Sequence, residues 1–472
     1  MQTASDGVCL GEVSDGAIKT PVRMTESDRA RHCYVVGSTG TGKSTLLANL
    51  ILQDIHNGEG VTVIDPHGDL YRQILASLPP HRYADLVLFD ATDAKNTVGL
   101  NFLECDDDEL QIHFVINEML KIFYRLYDRQ MMGPMFETYM RTAMVLLLDR
   151  DDRPPVTLVD IPRVFEDAEY RREAKAACRN RMAADFWTHA AEKSSGDWSL
   201  ANFAAYIISK LNAFIYNGRM RRIISCEKST INLHEVLQQR RIMLVNLSKG
   251  VIGELDSQFL GMMLLGKLFQ AALARASEPE EKRVPHYLYV DEFQNFATDT
   301  LAYMMAEARK FGLRLILANQ TLNQVATSRD HSDQNLMQAV LGNVGSLAVF
   351  RVGAPDADKF ETYTRPEYAG QDLQYLPDYH AVGRLLVQGK PLRPFVFQTV
   401  PFRHAEPPAD LASAIERARA LSTEPAHPQR AKTLAEAAKI QGDMNDRRRT
   451  RAATLKQLIA QQQQSVPPQQ YY

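Results

Sequence analysis

At 472 residues the chain is longer than one hydrophobic core supports, so two or three domains are expected. Hydrophobic residues make up 45% and charged ones 24%, with a formal net charge of -3, which excludes a disordered chain and a global basic field, so any nucleic-acid surface must be local. Five scattered cysteines, Cys9, Cys33, Cys105, Cys178 and Cys226, form no C-x-x-C pair and argue against zinc and against a disulfide framework, which fits a reducing cytoplasm.

Residues 1–31 read as a short β-rich lead-in, two extended segments about Ser14-Asp15-Gly16, with a polar, acidic start unlike a signal peptide. Residues 32–105 alternate strand and helix: Cys33-Tyr34-Val35-Val36, a helix with Leu46, Leu47, Leu50, Ile51 and Ile55 on one stripe, then Val61-Thr62-Val63-Ile64, a helix through Ile74, and Leu86-Val87-Leu88-Phe89. This is βαβ rhythm and predicts a parallel sheet. Over 106–229 helical spacing takes over, as at Leu120, Phe123, Tyr124 or Phe203, Ile207, Leu211, and predicts an all-α inserted domain. Strands resume within 230–402 at Ile242-Met243-Leu244-Val245, Tyr287-Leu288-Tyr289-Val290, Leu313-Arg314-Leu315-Ile316-Leu317 and Leu347-Ala348-Val349-Phe350, runs suited to strands buried on both faces. Residues 403–472, broken by prolines and ending in glutamines, are expected to be a flexible charged tether or partner-binding tail. No apolar run reaches the ~18–20 residues of a membrane span, since Phe259 to Ala274 is interrupted by Lys267 and Gln270.

The stretch Gly37-Ser38-Thr39-Gly40-Thr41-Gly42-Lys43-Ser44, followed by Thr45, fits the phosphate-binding loop pattern G-x-x-x-x-G-K-[ST], with a strand before it and a helix after it. Its glycines let backbone N–H groups surround a polyphosphate at a helix N-terminus, with Lys43 on the β- and γ-phosphates of ATP and Ser44 on Mg²⁺. Hydrolysis needs a second strand carrying carboxylates, and Tyr287 to Val290 ends in Asp291-Glu292: Asp291 for the metal, Glu292 as general base for water. The bland alternative is a strand ending in solvated acids.

These residues, together with Arg31-His32, Asp65-Pro66-His67-Gly68-Asp69, Asn246-Leu247-Ser248-Lys249-Gly250, Asp291-Glu292-Phe293-Gln294-Asn295-Phe296 and Ala318-Asn319-Gln320, resemble the HerA/FtsK superfamily of ring-forming DNA-pumping P-loop ATPases. Within it the chain is similar to the coupling proteins of conjugation and type IV secretion, as a soluble member without transmembrane helices. The resemblance implies a RecA-like α/β fold with a mostly parallel sheet, a homohexamer acting on DNA, a sensor at Gln320 and a trans-acting arginine at Arg309, with Arg351 its rival. The helix for Arg309 is expected over Asp299 to Phe311, capped by Asp299 and ended by Gly312. Asp65 and His67 end a strand at the ligand edge and either sense the γ-phosphate, line the central channel or make local hydrogen bonds.

Three basic clusters could touch DNA phosphates, Arg171/Lys175/Arg179, Arg219/Arg221/Arg222 and Arg447/Arg448/Arg449/Arg451, though each reads more readily as a solvated helix face than as a binding patch. The reading is thus a cytoplasmic, ATP- and Mg²⁺-dependent DNA translocase, recruited to the inner membrane by partners. Relaxase or secretion-channel proteins would bind the tail or the all-α domain. The alternatives are a secretion ATPase indifferent to DNA, or a nucleotide-gated scaffold with little turnover.

Overall fold

The computed structural model describes residues 7–127, 132–196, 199–322, 332–387, 389–403 and 407–423. The chain builds β1 (Val8–Asp15), β2 (Ile18–Met24), β3 (Cys33–Val36), β4 (Gly60–Asp65), β5 (Leu86–Asp90), β6 (Ile242–Asn246), β7 (His286–Val290), β8 (Leu313–Asn319), β9 (Ser346–Val349), β10 (His380–Arg384), β11 (Leu386–Val387), β12 (Lys390–Pro391) and β13 (Phe395–Thr399). All but β11 and β12 join one 11-stranded sheet in the order β2-β1-β13-β10-β9-β3-β8-β7-β4-β6-β5. From β9 to β5 every pair is parallel, while β10, β13, β1 and β2 extend the sheet antiparallel. The fold is the mixed, mostly parallel α/β sheet that the strand-helix alternation predicts.

Period-2 alternation divides the strand side chains between two apolar layers. Val35, Val63, Leu88, Leu244, Tyr289 and Ala318 face α2 (Lys43–His56) and α3 (Asp69–Ala76), whose Leu46, Leu47, Leu50, Ile51 and Ile55 form the stripe read from the sequence. Tyr34, Val36, Ile64, Phe89, Val245, Val290 and Leu317 face the other way, and their apolar cluster continues into α4 (Glu109–Leu126), α5 (Pro134–Leu148) and the other helices that lie between β5 and β6. Those helices therefore share one core with this sheet face. Phe123 and Phe214 both meet Phe259 of the Glu254–Leu273 helix, at ring-centroid distances of 6.4 and 3.9 Å. That helix is long and apolar enough to cross a bilayer, yet 72% of its apolar window is buried in this layer, and its Lys267 amine bonds the Glu104 carbonyl and Gln270.

Two expectations change. Residues 411–423, placed in the flexible tail, form a helix, Leu411–Thr423, whose Leu411, Ala414 and Ala418 pack on the α2 side of the sheet. Its Ser422 hydroxyl accepts the Leu88 N–H of edge strand β5 at 2.9 Å, covering donors that an edge strand otherwise exposes. The two extended segments expected about Ser14-Asp15-Gly16 are β1 and β2; β1 pairs with β13 and so closes the antiparallel flank, whose outer strand β2 is protected by Lys19, Pro21 and Arg23. Asp299 does not cap its helix: Thr298 takes the N-cap position and Asp299 is the first helical residue, although Gly312, at φ +75°, ends the segment as expected.

Candidate active site

Parallel registry sets the site. Val36 is level with Asn319 and Ile64 with Val290, so Gly37, Asp291 and Gln320, which follow their strands, and Asp65, which ends β4, all lie on one edge of the sheet. Such an edge, where successive strands end together, is where open α/β sheets gather ligands.

Between β3 and α2 the chain can only be glycine-rich. A Cβ on Gly37 would lie 2.4 Å from the Phe350 Cβ, and Gly42, at φ +113°, would place one 2.9 Å from the Tyr379 Cα. Gly40 adds a second positive φ, +81°, and the Thr41 hydroxyl donates to the Ser38 carbonyl at 2.7 Å to hold the curl. The result is a concave loop leading into the 14-residue helix α2, whose first-turn N–H groups lack intrahelical acceptors. Thr39, Gly40 and Ser44 are exposed and Ser38 and Thr45 half-buried, whereas Thr41, Gly42 and Lys43 are buried beneath them.

Lys43 reaches across to β7. Its Nζ donates to Glu292 Oε1 at 2.6 Å and lies 3.7 Å from Asp291 Oδ1. Glu292 stands in the left-handed region, φ +46°, which turns its carboxylate back toward the loop. Gln294 Nε2 donates to Glu292 Oε2 at 2.7 Å. Burial pushes the Glu292 carboxyl up, but the Lys43 ammonium and hydrogen bonds from Lys43, Gln294 and Gln320 outweigh it and hold the group below its ordinary range. Asp291 goes the other way, to about 6, because burial and the neighbouring charges of Glu292 and Asp65 exceed the pull of Lys43. Two adjacent carboxylates thus differ in affinity for protons, one ionised and one poised near neutrality.

Gln320 closes the arrangement. Its Oε1 accepts from the Thr39 hydroxyl at 3.1 Å, and its side chain comes near enough to Glu292 to help hold that carboxyl down, so one residue stands between the phosphate loop and the carboxylate pair. Asp65, by contrast, spends both oxygens on the N–H groups of His67 and Tyr71, at 2.8 and 2.9 Å, the local hydrogen-bonding role. Ser248 donates to the His67 carbonyl at 3.0 Å, tying the ends of β6 and β4.

The arginines separate by edge. Arg351 follows β9, its carbonyl accepts the Ser38 N–H at 2.9 Å, and its guanidinium pairs with Asp378 at 2.7 Å, so it lies beside its own phosphate loop. Arg309 is exposed at the opposite edge, where with Arg31, His32 and Arg384 it lines a cavity of about 430 Å³. Burial and the charge of Arg309 push the His32 imidazole down to about 4, and its Nδ1 accepts the Leu315 N–H at 3.0 Å. Of the basic clusters, Arg171 is buried on the Val164 and Phe165 carbonyls and Glu192, Lys175 pairs with Glu192, and Arg179 with Asp107 and Asp149. Arg219, Arg221 and Arg222 sit on the Gly218–Ile224 helix. Arg447, Arg448, Arg449 and Arg451 fall outside the described residues.

Two contributors escape motif reading. Gln294 lies inside a quoted motif, and its polar side chain two residues past the acidic pair was the available signal. Tyr379, which packs on Gly42, carries no signal at all, since only the pairing of β10 with β9 brings it there.

Residues 8–131 match the family model described as the central domain of helicase HerA. No curated protein sequence matches the chain. Among solved structures, the bacterial conjugative coupling protein TrwBdeltaN70 superposes with a TM-score of 0.61 at 16% identity, covering 86% of this chain and 91% of that one. TrwB bound to ADP and Mg²⁺ gives 0.60 at 16%, with 86% and 92% covered. VirB4 of Thermoanaerobacter pseudethanolicus gives 0.53 at 16%, with 84% and 96% covered. The likeness to HerA/FtsK-type P-loop ATPases related to conjugation coupling proteins therefore rests on residues 8–131 by sequence and on most of the chain by fold.

Proposed function

We propose that the protein is an ATP-hydrolysing motor that moves DNA in a conjugative or type IV secretion-like transfer, working as a ring of identical subunits. The observation that carries this reading is the convergence of Lys43, Asp291, Glu292 and Gln320 on one phosphate loop. The residues suit ATP and Mg²⁺: the loop from Gly37 to Thr45 cradles polyphosphate, and Ser44 and Asp291 hold the metal, which when bound neutralises charge on the phosphates. Lys43 exchanges Glu292 for phosphate oxygens, and Glu292, kept ionised, accepts a proton from the attacking water. Gln320 reports the exchange to the end of β8. TrwB structures carry ADP with Mg²⁺, the ATP analogue ADPNP and the GTP analogue GDPNP, which supports nucleotide use by this fold.

Arg309 serves a neighbour. Strand β3 separates its edge from the phosphate loop by roughly 13 Å, so its guanidinium completes another subunit's site rather than its own. We place the protein in the cytoplasm, brought to the inner membrane by relaxase or channel partners.

One observation favours a second reading. Arg171, Lys175 and Arg179 are spent on carboxylates, which removes a DNA surface and leaves a motor for protein cargo as the competitor. Steady-state ATPase rates without DNA, with single strands and with duplex, over a salt series and with Lys43→Ala as control, decide between them. The DNA motor predicts stimulation that fades with salt. A good basal rate unmoved by either DNA transfers the reading to protein cargo.

A further inference from the structure

The phosphate loop has two flanks. Glu292 and Gln320 stand on the β8–β7 side, so a terminal phosphate presented to them leaves the nucleoside to emerge on the other flank, toward β9 and β10. What waits there is a built platform. The segment before β10 ends in Tyr379, whose backbone N–H donates to the Thr41 carbonyl inside the loop at 2.7 Å and whose carbonyl accepts the Thr399 N–H of β13 at 2.8 Å. Arg351 braces the same segment through Asp378, at 2.7 Å, and the Leu376 carbonyl, at 3.2 Å.

Tyr379 holds φ +63°, a costly backbone for a residue with a bulky side chain, and that conformation sets the edge of its ring, Cδ1, 3.0 Å from where a Gly42 Cβ would lie. The residue nonetheless remains 47% exposed. An aromatic ring carried on a backbone held from both sides, beside the phosphate loop and open to solvent, is the shape of a stacking surface.

We propose that Tyr379 is the nucleobase platform of this site, a specificity-determining residue that stacks on the base of the bound nucleoside triphosphate. The proposal rests on the nucleotide-site reading given above. Stacking draws on the π-face that every base has, and larger ring systems overlap more, so purine nucleotides bind better than pyrimidine ones and ATP is separated little from GTP.

The test is calorimetric titration of the full chain with Mg²⁺-ADPNP and, separately, with inorganic tripolyphosphate, which lacks a base. Tyr379→Gly keeps the positive φ and removes the ring, and Tyr379→Phe keeps the ring. ADPNP binding to Tyr379→Gly is expected to weaken about tenfold while tripolyphosphate binding stays at the wild-type level, and Tyr379→Phe is expected to bind both as wild type. Undiminished ADPNP binding by Tyr379→Gly overturns the platform, and so does a parallel loss of tripolyphosphate, which marks a residue that only shapes the loop. Lys43→Ala distinguishes the premise from the proposal: if it binds ADPNP as well as wild type, the nucleotide site itself is misassigned.

Discussion

Two partners compete for the Lys43 ammonium. It is shared between Glu292 and Asp291, and under the proposed function a polyphosphate would have to take it from them. Releasing the lysine leaves Asp291 with less to offset its burial, unless a metal cation replaces it. Asp291 titrates near 6, above its unfolded value, so its protonated form is favoured by folding: the contribution to stability is complete below the unfolded carboxylate pKa and is lost as pH rises through about 6. In the proposed mechanism the same group would hold Mg²⁺ only when ionised. Turnover should therefore fall as pH drops through about 6, with the acid limb moving lower at higher Mg²⁺. The melting-temperature gain of Asp291→Asn over wild type should shrink over that interval. A flat rate profile between pH 5 and 7 would contradict the assignment. That Lys43 and the Asp291-Glu292 pair come together was legible, because the phosphate-loop pattern fixes residue types at set offsets and a strand ending in two acids is its usual complement. The strain at Glu292 and the brace on Tyr379 were not, since both arise from contacts between segments distant in sequence.

Helix α2 is anchored at its far end as firmly as at the loop. Asp54, on its inner face, takes Arg29 in a two-pronged pair at 2.5 and 2.7 Å and accepts from the Tyr289 hydroxyl at 2.5 Å, all buried. Burial disfavours the Arg29 charge, but Asp54 and the neighbouring tyrosines outweigh it and keep that guanidinium protonated well above its ordinary pKa. The network joins α2 to β7, the two elements that present Lys43 and the carboxylate pair. Asp54→Asn leaves a charge buried without its counter-ion and should cost about 3–5 kcal/mol in equilibrium denaturation. A loss under 1 kcal/mol would show that water or a rearranged partner relieves Arg29. Strand positions were readable from short aliphatic runs buried on both faces, so β3 to β9 appear where the sequence puts them. The β10 and β13 segments mix exposed polar residues with apolar ones, and the Leu411–Thr423 helix follows several prolines, so neither announced itself.

The whole molecule carries its phosphate loop on one sheet edge and Arg309 on the other. If the arginine acts across an interface, Arg309→Ala should retain nucleotide affinity yet lose most turnover. Glu292→Gln should lose about 10²–10⁴-fold by removing the base. Mixing the two proteins should restore some activity, because an assembly can pair an intact carboxylate with an intact arginine. Co-assembly without rescue would rule the trans role out. The pairing of β1 with β13, Gly11 opposite Thr399, has a temporal meaning of its own. A ribosome adding residues at roughly 5–20 per second releases β1 tens of seconds before its partner strand exists. The β1–β2 hairpin, whose Cys9 exchanges paired hydrogen bonds with Gln53 of α2 in the finished fold, precedes its partner through that interval, and the flank of the sheet can close only once β13 has been made.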